Sequence, residues 1–232
     1  ESTGEPRQLG HPYIRTEDIS AVIDYLTTLS YVDQERIGAM GVCAGGGYTA
    51  NAAINDHRIK SVGTVSAVNI GAMFRNGWDG SVKDADAMPY LLGGAQARSA
   101  DASNNELAIM PMAPLKEEDA PNEELRQAWE YYHTDRCQHP TAPGFATSRS
   151  LTQLVTYDAY NKAEAFLIQP LMAVAGSNAG SKWMSEDLVN RAASEKKNLH
   201  IVEGANHMEL YDGKKFVGEA VDALVPFFKE TL

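Results

Sequence analysis

The chain has 232 residues, 44% of them apolar and 22% charged, with 19 glycines, 10 prolines and two cysteines; disorder, collagen and small disulfide scaffolds are excluded, and the length suits one large domain or one domain with a sizeable insertion. Twenty lysines and arginines against 31 aspartates and glutamates leave a formal charge of −11, which speaks against nucleic acid and anionic lipid as partners and favours a small molecule or a protein. No apolar run reaches the ~18 residues that cross a bilayer, so no membrane partner is expected, the start lacks the pattern of a secretory signal, and two distant cysteines without a C-x-x-C pair suit a reducing, cytoplasmic setting.

After Thr16, a residue suited to the N-cap, Ile19, Val22, Ile23, Leu26 and Leu29 recur at helical spacing, with Glu17 and Asp18 in the first turn. A helix ending near Ser30 is predicted. The run 36–42 is short, apolar and bounded by glycine, which reads as a buried strand. Cys43-Ala44-Gly45-Gly46-Gly47 then forms a tight turn of small residues, and the alanine-rich 48–54 a helix. The β-branched run 59–68 is a second strand, so the order helix, strand, helix, strand points to a parallel α/β sheet.

From about 69 to 165 the rhythm breaks, with Pro, Gly, Asn and acidic residues between helix-like stretches such as 123–133 and 150–165. No strand alternation stands out there, and a helical insertion is expected. The pattern resumes after Pro170 with a strand at 171–175, a helix around 185–193, a strand at 199–202 and a closing helix over 214–232, whose apolar face carries Phe216, Val217, Ala220, Val221, Leu224, Phe227 and Phe228.

The motif Gly41-Val42-Cys43-Ala44-Gly45, between a strand and a helix, has the form G-x-nucleophile-x-G. A residue at the tip of such a hairpin is forced into strained geometry, and flanking glycines avoid collisions across the turn. Cys43 would stand at the carboxyl edge of the sheet, near a helix N-terminus whose dipole favours thiolate, and the Ala44 N–H would point where an oxyanion develops. A phosphate loop or a merely buried cysteine is the alternative, but no Lys-Ser/Thr follows and the spacing is not G-x-G-x-x-G. His207, in the loop after the last strand, falls at the same edge and can act as a base toward the thiol.

Weaker clusters stand beside these. His133, Cys137 and His139 form an H-x3-C-x-H group that lacks a matching fourth ligand, so no metal is expected. The acidic residues Glu117, Glu118, Asp119, Glu123 and Glu124 read as a solvated surface. Trp78, Trp129, Trp183, Met110 and Met112 read as packing, with a lining of an apolar cavity as the sharper option.

These residues resemble the α/β-hydrolase superfamily, in particular its dienelactone-hydrolase-like branch with a cysteine nucleophile. The likeness rests on 15–71, including Arg36-Ile37-Gly38 before the elbow, and on 170–212, including Glu203-Gly204-Ala205-Asn206-His207. It implies a mostly parallel sheet flanked by helices, divided as 1–71 (core), 72–165 (helical cap) and 166–232 (core). It implies no cofactor, and catalysis by Cys43 and His207 with the Ala44 N–H in the oxyanion hole, on a small-molecule acyl substrate: an ester, lactone or thioester. Acyl transfer with the same pair, or a catalytically silent binding protein of this fold, are the alternatives.

The sequence departs from that pattern twice. In Gly176-Ser177-Asn178-Ala179-Gly180 a glycine, Gly180, stands where the family's acid would orient the histidine, with Glu186 and Asp187 as substitutes. One helix precedes the elbow, and the polar opening 1–7 resembles the loop leaving the fourth strand, so about four strands and the second oxyanion donor are expected on an upstream segment of the same protein, either a separate N-terminal fragment or a stretch outside this sequence.

Overall fold

The apolar runs become the four strands of one parallel sheet in the computed structural model, which describes residues 4–103 and 107–232. Residues 1–3 of the polar opening and 104–106 of the insertion lie outside the described residues. The strands are β1 (Gly38–Val42), β2 (Ser61–Val65), β3 (Leu171–Gly176) and β4 (Lys197–Val202), in the order β1-β2-β3-β4. Every neighbouring pair is parallel, with Val42 opposite Val65, Val65 opposite Val174, and Gly176 opposite Val202. That register brings the residues following β1, β2, β3 and β4 to one edge of the sheet.

The helices of this part of the chain are α1 (Pro12–Thr27), α2 (Ala44–Asn55), α3 (Ile70–Asn76), α4 (Lys182–Arg191) and α5 (Lys214–Thr231). All of β2 is buried, and so is β3 except for the half-buried Met172, as strands covered on both faces require. Side-chain size sets the approach of α5. A Cβ at Gly63 would lie 2.8 Å from the Phe228 ring, and one at Gly38 2.7 Å from Leu232, so glycine on β1 and β2 makes room for the aromatic end of α5. Val65, Val174, Val202, Ala205, Leu210, Ala220 and Leu224 form the core between this helix and the sheet.

Several readings of the sequence are revised: the first strand, expected to be buried, has only Gly41 buried because it lies at the sheet edge, the helix expected at 185–193 is Lys182–Arg191, and the strand expected over 59–68 is Ser61–Val65. The first helix begins at Pro12, one turn before Thr16, because proline's fixed φ suits a first helical turn, where its missing N–H has no partner to lose. Thr16 is buried within the helix, its Oγ1 3.2 Å from both the Pro12 carbonyl and Asn51 Oδ1 of α2. The glycines read as a turn at 45–47 are already helical, since α2 starts at Ala44.

The chain separates into two compact units, one comprising Pro12–Val82 with Tyr157–Leu232, the other the described residues of Glu1–His11 with Lys83–Thr156. The second unit holds the helices Met88–Ala102 and Glu123–His133 and a two-stranded antiparallel ribbon, Ile109–Pro111 against Phe145–Thr147. The helix over 123–133 is as the sequence predicts, with Asn122 Oδ1 accepting from the Leu125 N–H at 3.0 Å. The ribbon was not foreseen, because three residues a strand are too few to display alternation. The stretch 150–165 is not one helix but two single turns, Leu151–Leu154 and Ala163–Phe166, the latter preceded by Lys162 at φ 67°. Among the described residues, no helix is long and apolar enough to cross a membrane.

Candidate active site

The elbow is built by backbone sterics. Cys43 follows β1 and precedes α2 with φ 55° and ψ −130°, a conformation that costs a non-glycine residue on the order of 1–3 kcal/mol and persists only when its surroundings impose it. Three hydrogen bonds do so: Cys43 N–H to the Val65 carbonyl at 3.0 Å, and Gly46 N–H and Val68 N–H to the Cys43 carbonyl, both at 2.9 Å. The glycine pattern has unequal causes. A Cβ at Gly41 would run into the Gly45 carbonyl and lie 2.6 Å from the Gly46 nitrogen, and one at Gly47 would run into the Val68 carbonyl, whereas one at Gly45 meets nothing within 4 Å. Crowding therefore explains Gly41 and Gly47 but not Gly45, contrary to the expectation that both flanking glycines of the motif avoid collision.

The histidine loop is built by side chains. Leaving β4, the chain turns at Gly204 (φ 79°). Ser177 Oγ accepts the Gly204 N–H at 2.8 Å, Asn178 Nδ2 donates to the Gly204 carbonyl at 3.1 Å, and the Asn178 N–H donates to the Ala205 carbonyl at 3.0 Å. Asn206 and Glu209 exchange backbone-to-side-chain bonds, both at 2.9 Å, and so start the short helix Glu209–Asp212. Ser66, strained at φ 46° just past β2, donates its hydroxyl to the His207 carbonyl at 3.3 Å.

The His207 side chain is 1% exposed. Its Nδ1 lies 2.6 Å from Ser181 Oγ and its Nε2 2.6 Å from the Tyr211 hydroxyl. The Trp78 ring stands edge-on at 4.7 Å and that of Tyr211 at 5.3 Å, and Trp78 is itself held by its carbonyl, which accepts from Trp183 Nε1 at 3.0 Å. With this wrapping, burial pushes the imidazole from its ordinary value near 6.5 down to about 3. Cys43 is half-buried. Burial raises its thiol pKa, while hydrogen bonds from the Tyr211 hydroxyl and the Ala44 N–H act in the opposite direction. Desolvation thus outweighs these hydrogen bonds, contrary to the thiolate expected at this position, and the resting pair at neutral pH is a thiol and a neutral imidazole.

The structure therefore brings Cys43, Ala44 and His207 together at one sheet edge, and Tyr211 touches the side chains of both Cys43 and His207. No carboxylate reaches His207: among the described residues the partners of its two ring nitrogens are Ser181 and Tyr211. Glu186 lies 3.9 Å from Lys182 and Asp187 3.5 Å from Arg191, so both proposed substitutes are engaged along their own helix. Arg191 is fixed further by Asp158 at 2.9 Å, and Asp158 by Asn69 at 2.8 Å. Ser181 and Tyr211 escaped the sequence reading, although Ser181 directly follows Gly180 and Tyr211 stands four residues after His207, one helical turn on. Trp78, read first as packing, packs on the histidine. Trp129, Met110 and Met112 belong to the other unit. Among the described residues no three His, Cys, Asp or Glu side chains converge as metal ligands; His139 Nδ1 pairs with the Thr141 hydroxyl at 2.9 Å and Cys137 is exposed.

A parallel sheet flanked by helices, with an elbow after one strand and a histidine loop after the last, defines an α/β-hydrolase fold. Residues 12–80, the segment holding the elbow, match the model of the prolyl oligopeptidase family. The chain belongs to the family of the uncharacterized protein YcjY of Escherichia coli K12, with 71% identity over 232 residues that span all of this chain and 76% of that protein. The crystal structure of the hypothetical protein PA2218 from Pseudomonas aeruginosa superposes with a TM-score of 0.88 at 31% identity, covering 100% of this chain and 72% of that one. The α/β hydrolase GrgF from Penicillium sp. sh18 shares the fold at 18% identity, with a TM-score of 0.73 over 98% of this chain and 75% of its own.

Proposed function

We propose that this protein is a hydrolase of an ester, lactone or thioester, of the dienelactone-hydrolase-like kind, with Cys43 as nucleophile and His207 as base. The observation that carries the reading is the strained Cys43 at the elbow, linked through the Tyr211 hydroxyl to the ring of His207. The thiol gives its proton toward His207, the sulfur pair forms a bond to the acyl carbon, and the carbonyl oxygen takes the negative charge against the Ala44 N–H. Collapse releases the alcohol or thiol, which takes the proton back from the histidine. Water, deprotonated by His207, then adds to the acyl-enzyme, the S–C bond breaks as the carboxylic acid leaves, and the histidine returns the proton to the departing sulfur, restoring the thiol. An acceptor other than water would make the same chemistry an acyl transfer.

β1 is an edge strand whose Met40 and Val42 are 54% and 40% exposed. We assign this edge to a further strand from an N-terminal segment of the same protein, which would supply the second oxyanion donor. Both cysteines are free, which suits a reducing, cytoplasmic compartment. Short-chain nitrophenyl esters are the test substrates. Turnover should be lost in Cys43→Ala and after iodoacetamide; full activity in Cys43→Ala would sink the reading.

One observation favours a second reading, a catalytically silent binding protein: His207 has a hydroxyl where a triad has a carboxylate. Ser181→Asp separates the two. A rise in turnover favours the enzyme, whereas no turnover in either form favours the binder.

A further inference from the structure

We infer that Tyr211 is a catalytic residue of this site, a proton relay that stands between Cys43 and His207 and carries the thiol proton to the imidazole. The inference rests on the Cys43–His207 reading and adds a third member to it. Its basis is placement. Among the described residues no hydrogen bond joins Cys43 to His207 directly; the Tyr211 hydroxyl bonds the Cys43 side chain on one side and lies 2.6 Å from His207 Nε2 on the other.

A phenol hydroxyl has one proton to give and lone pairs to receive another, so it can pass a proton without changing its own charge. For Nε2 to receive, the neutral ring must carry its proton on Nδ1, where Ser181 Oγ, 2.6 Å away, can accept it. The Ser181 hydroxyl, which can accept as well as donate, accommodates the tautomer that the relay needs. The step balances. The S–H bond of Cys43 breaks and its proton moves to the Tyr211 oxygen; the tyrosine's own proton moves to Nε2; the sulfur electron pair forms the bond to the acyl carbon. When the leaving group departs, the same two protons run back, one from Nε2 to the tyrosine oxygen and one from the tyrosine to the leaving atom.

The relay also answers a difficulty of the resting site. A thiol raised by burial beside an imidazole that resists protonation does not form a stable ion pair; a transfer concerted with bond formation avoids that intermediate. The fixed elbow and the clamped histidine loop hold the two ends, and Tyr211 packs its ring 5.3 Å from the imidazole, so the oxygen is held by ring packing as well as by hydrogen bonds.

The experiment is Tyr211→Phe in the full-length protein, which removes one oxygen and keeps the ring. Two readouts are taken: the pH profile of Cys43 alkylation by iodoacetamide, which needs no substrate, and kcat/KM on a nitrophenyl ester. The relay predicts an alkylation midpoint raised by at least about one pH unit, since a donor to the sulfur is lost, and kcat/KM lowered ~10²-fold through kcat rather than KM. An unchanged alkylation profile with unchanged turnover overturns it. Should the variant misfold, the wild-type protein still decides: kcat/KM in mixed light and heavy water should curve with two protons in flight, and a straight line for one proton overturns the relay. An inactive Cys43→Ala beside a fully active Tyr211→Phe sinks the relay alone, whereas an active Cys43→Ala sinks the Cys43 reading itself.

Discussion

The elbow and the histidine loop sit at the same sheet edge and are held in place by different physics. At the elbow, main chain meets main chain: carbonyls of Gly45 and Val68 leave no room for a Cβ at Gly41 and Gly47, and three backbone hydrogen bonds trap Cys43 in a strained conformation. At the histidine loop, the hydroxyls of Ser66, Ser177 and Ser181, the amides of Asn178 and Asn206 and the carboxylate of Glu209 do the holding. A side chain fixed by excluded volume cannot drift, but its turn tolerates no enlargement. An imidazole fixed by hydrogen bonds can be retuned by a single side chain, and here the residue on Nδ1 is Ser181 instead of an acid.

Enlarging the elbow should give the largest effect. Gly41→Ala forces the new methyl into a carbonyl and a backbone nitrogen, and we expect a loss of ~3 kcal/mol or more, or failure to fold, measured by denaturant unfolding. The same substitution at Gly45, inside the first turn of α2 with open space around it, should instead be neutral or stabilising by up to ~1 kcal/mol. Equal costs at the two positions would break the excluded-volume account.

A smaller effect tests the histidine loop. His207 is neutral in the fold with its pKa pushed down to about 3, so below pH 6.5 the unfolded chain binds a proton that the folded chain does not. Stability should fall as pH falls, by ~1.4 kcal/mol per unit, hence ~2 kcal/mol between pH 6.5 and 5. His207→Gln removes that dependence, so the difference between wild type and variant should shrink toward acid pH. A constant difference across that window would mean that His207 is not held neutral.

The contrast also explains what could be read from the sequence. Steric demands leave short local patterns, and Gly41-Val42-Cys43-Ala44-Gly45 announced the elbow, its strand and its helix together. Buried parallel strands such as 61–65 are continuous apolar or small runs and were equally plain. The hydrogen-bonded half of the site was half visible. His207 follows the last strand and is legible there, but Ser181 and Tyr211 belong to other patterns: one caps α4 at its start, the other lies within a single helical turn. Nothing local marks a serine as the partner of a distant ring nitrogen, and the family pattern points instead to the missing acid at Gly180 and to Glu186 and Asp187. The charge state was misread for a related reason. A helix N-terminus is visible in sequence, whereas the burial that raises the Cys43 thiol comes from tertiary packing.

The central claim is that Cys43 carries the acyl group. The most direct measurement is mass analysis of the protein quenched during turnover of a nitrophenyl ester, with the modified peptide sequenced. The account predicts an added acyl mass on Cys43, absent in Cys43→Ala. An adduct on another residue, or an active Cys43→Ala protein, would contradict it.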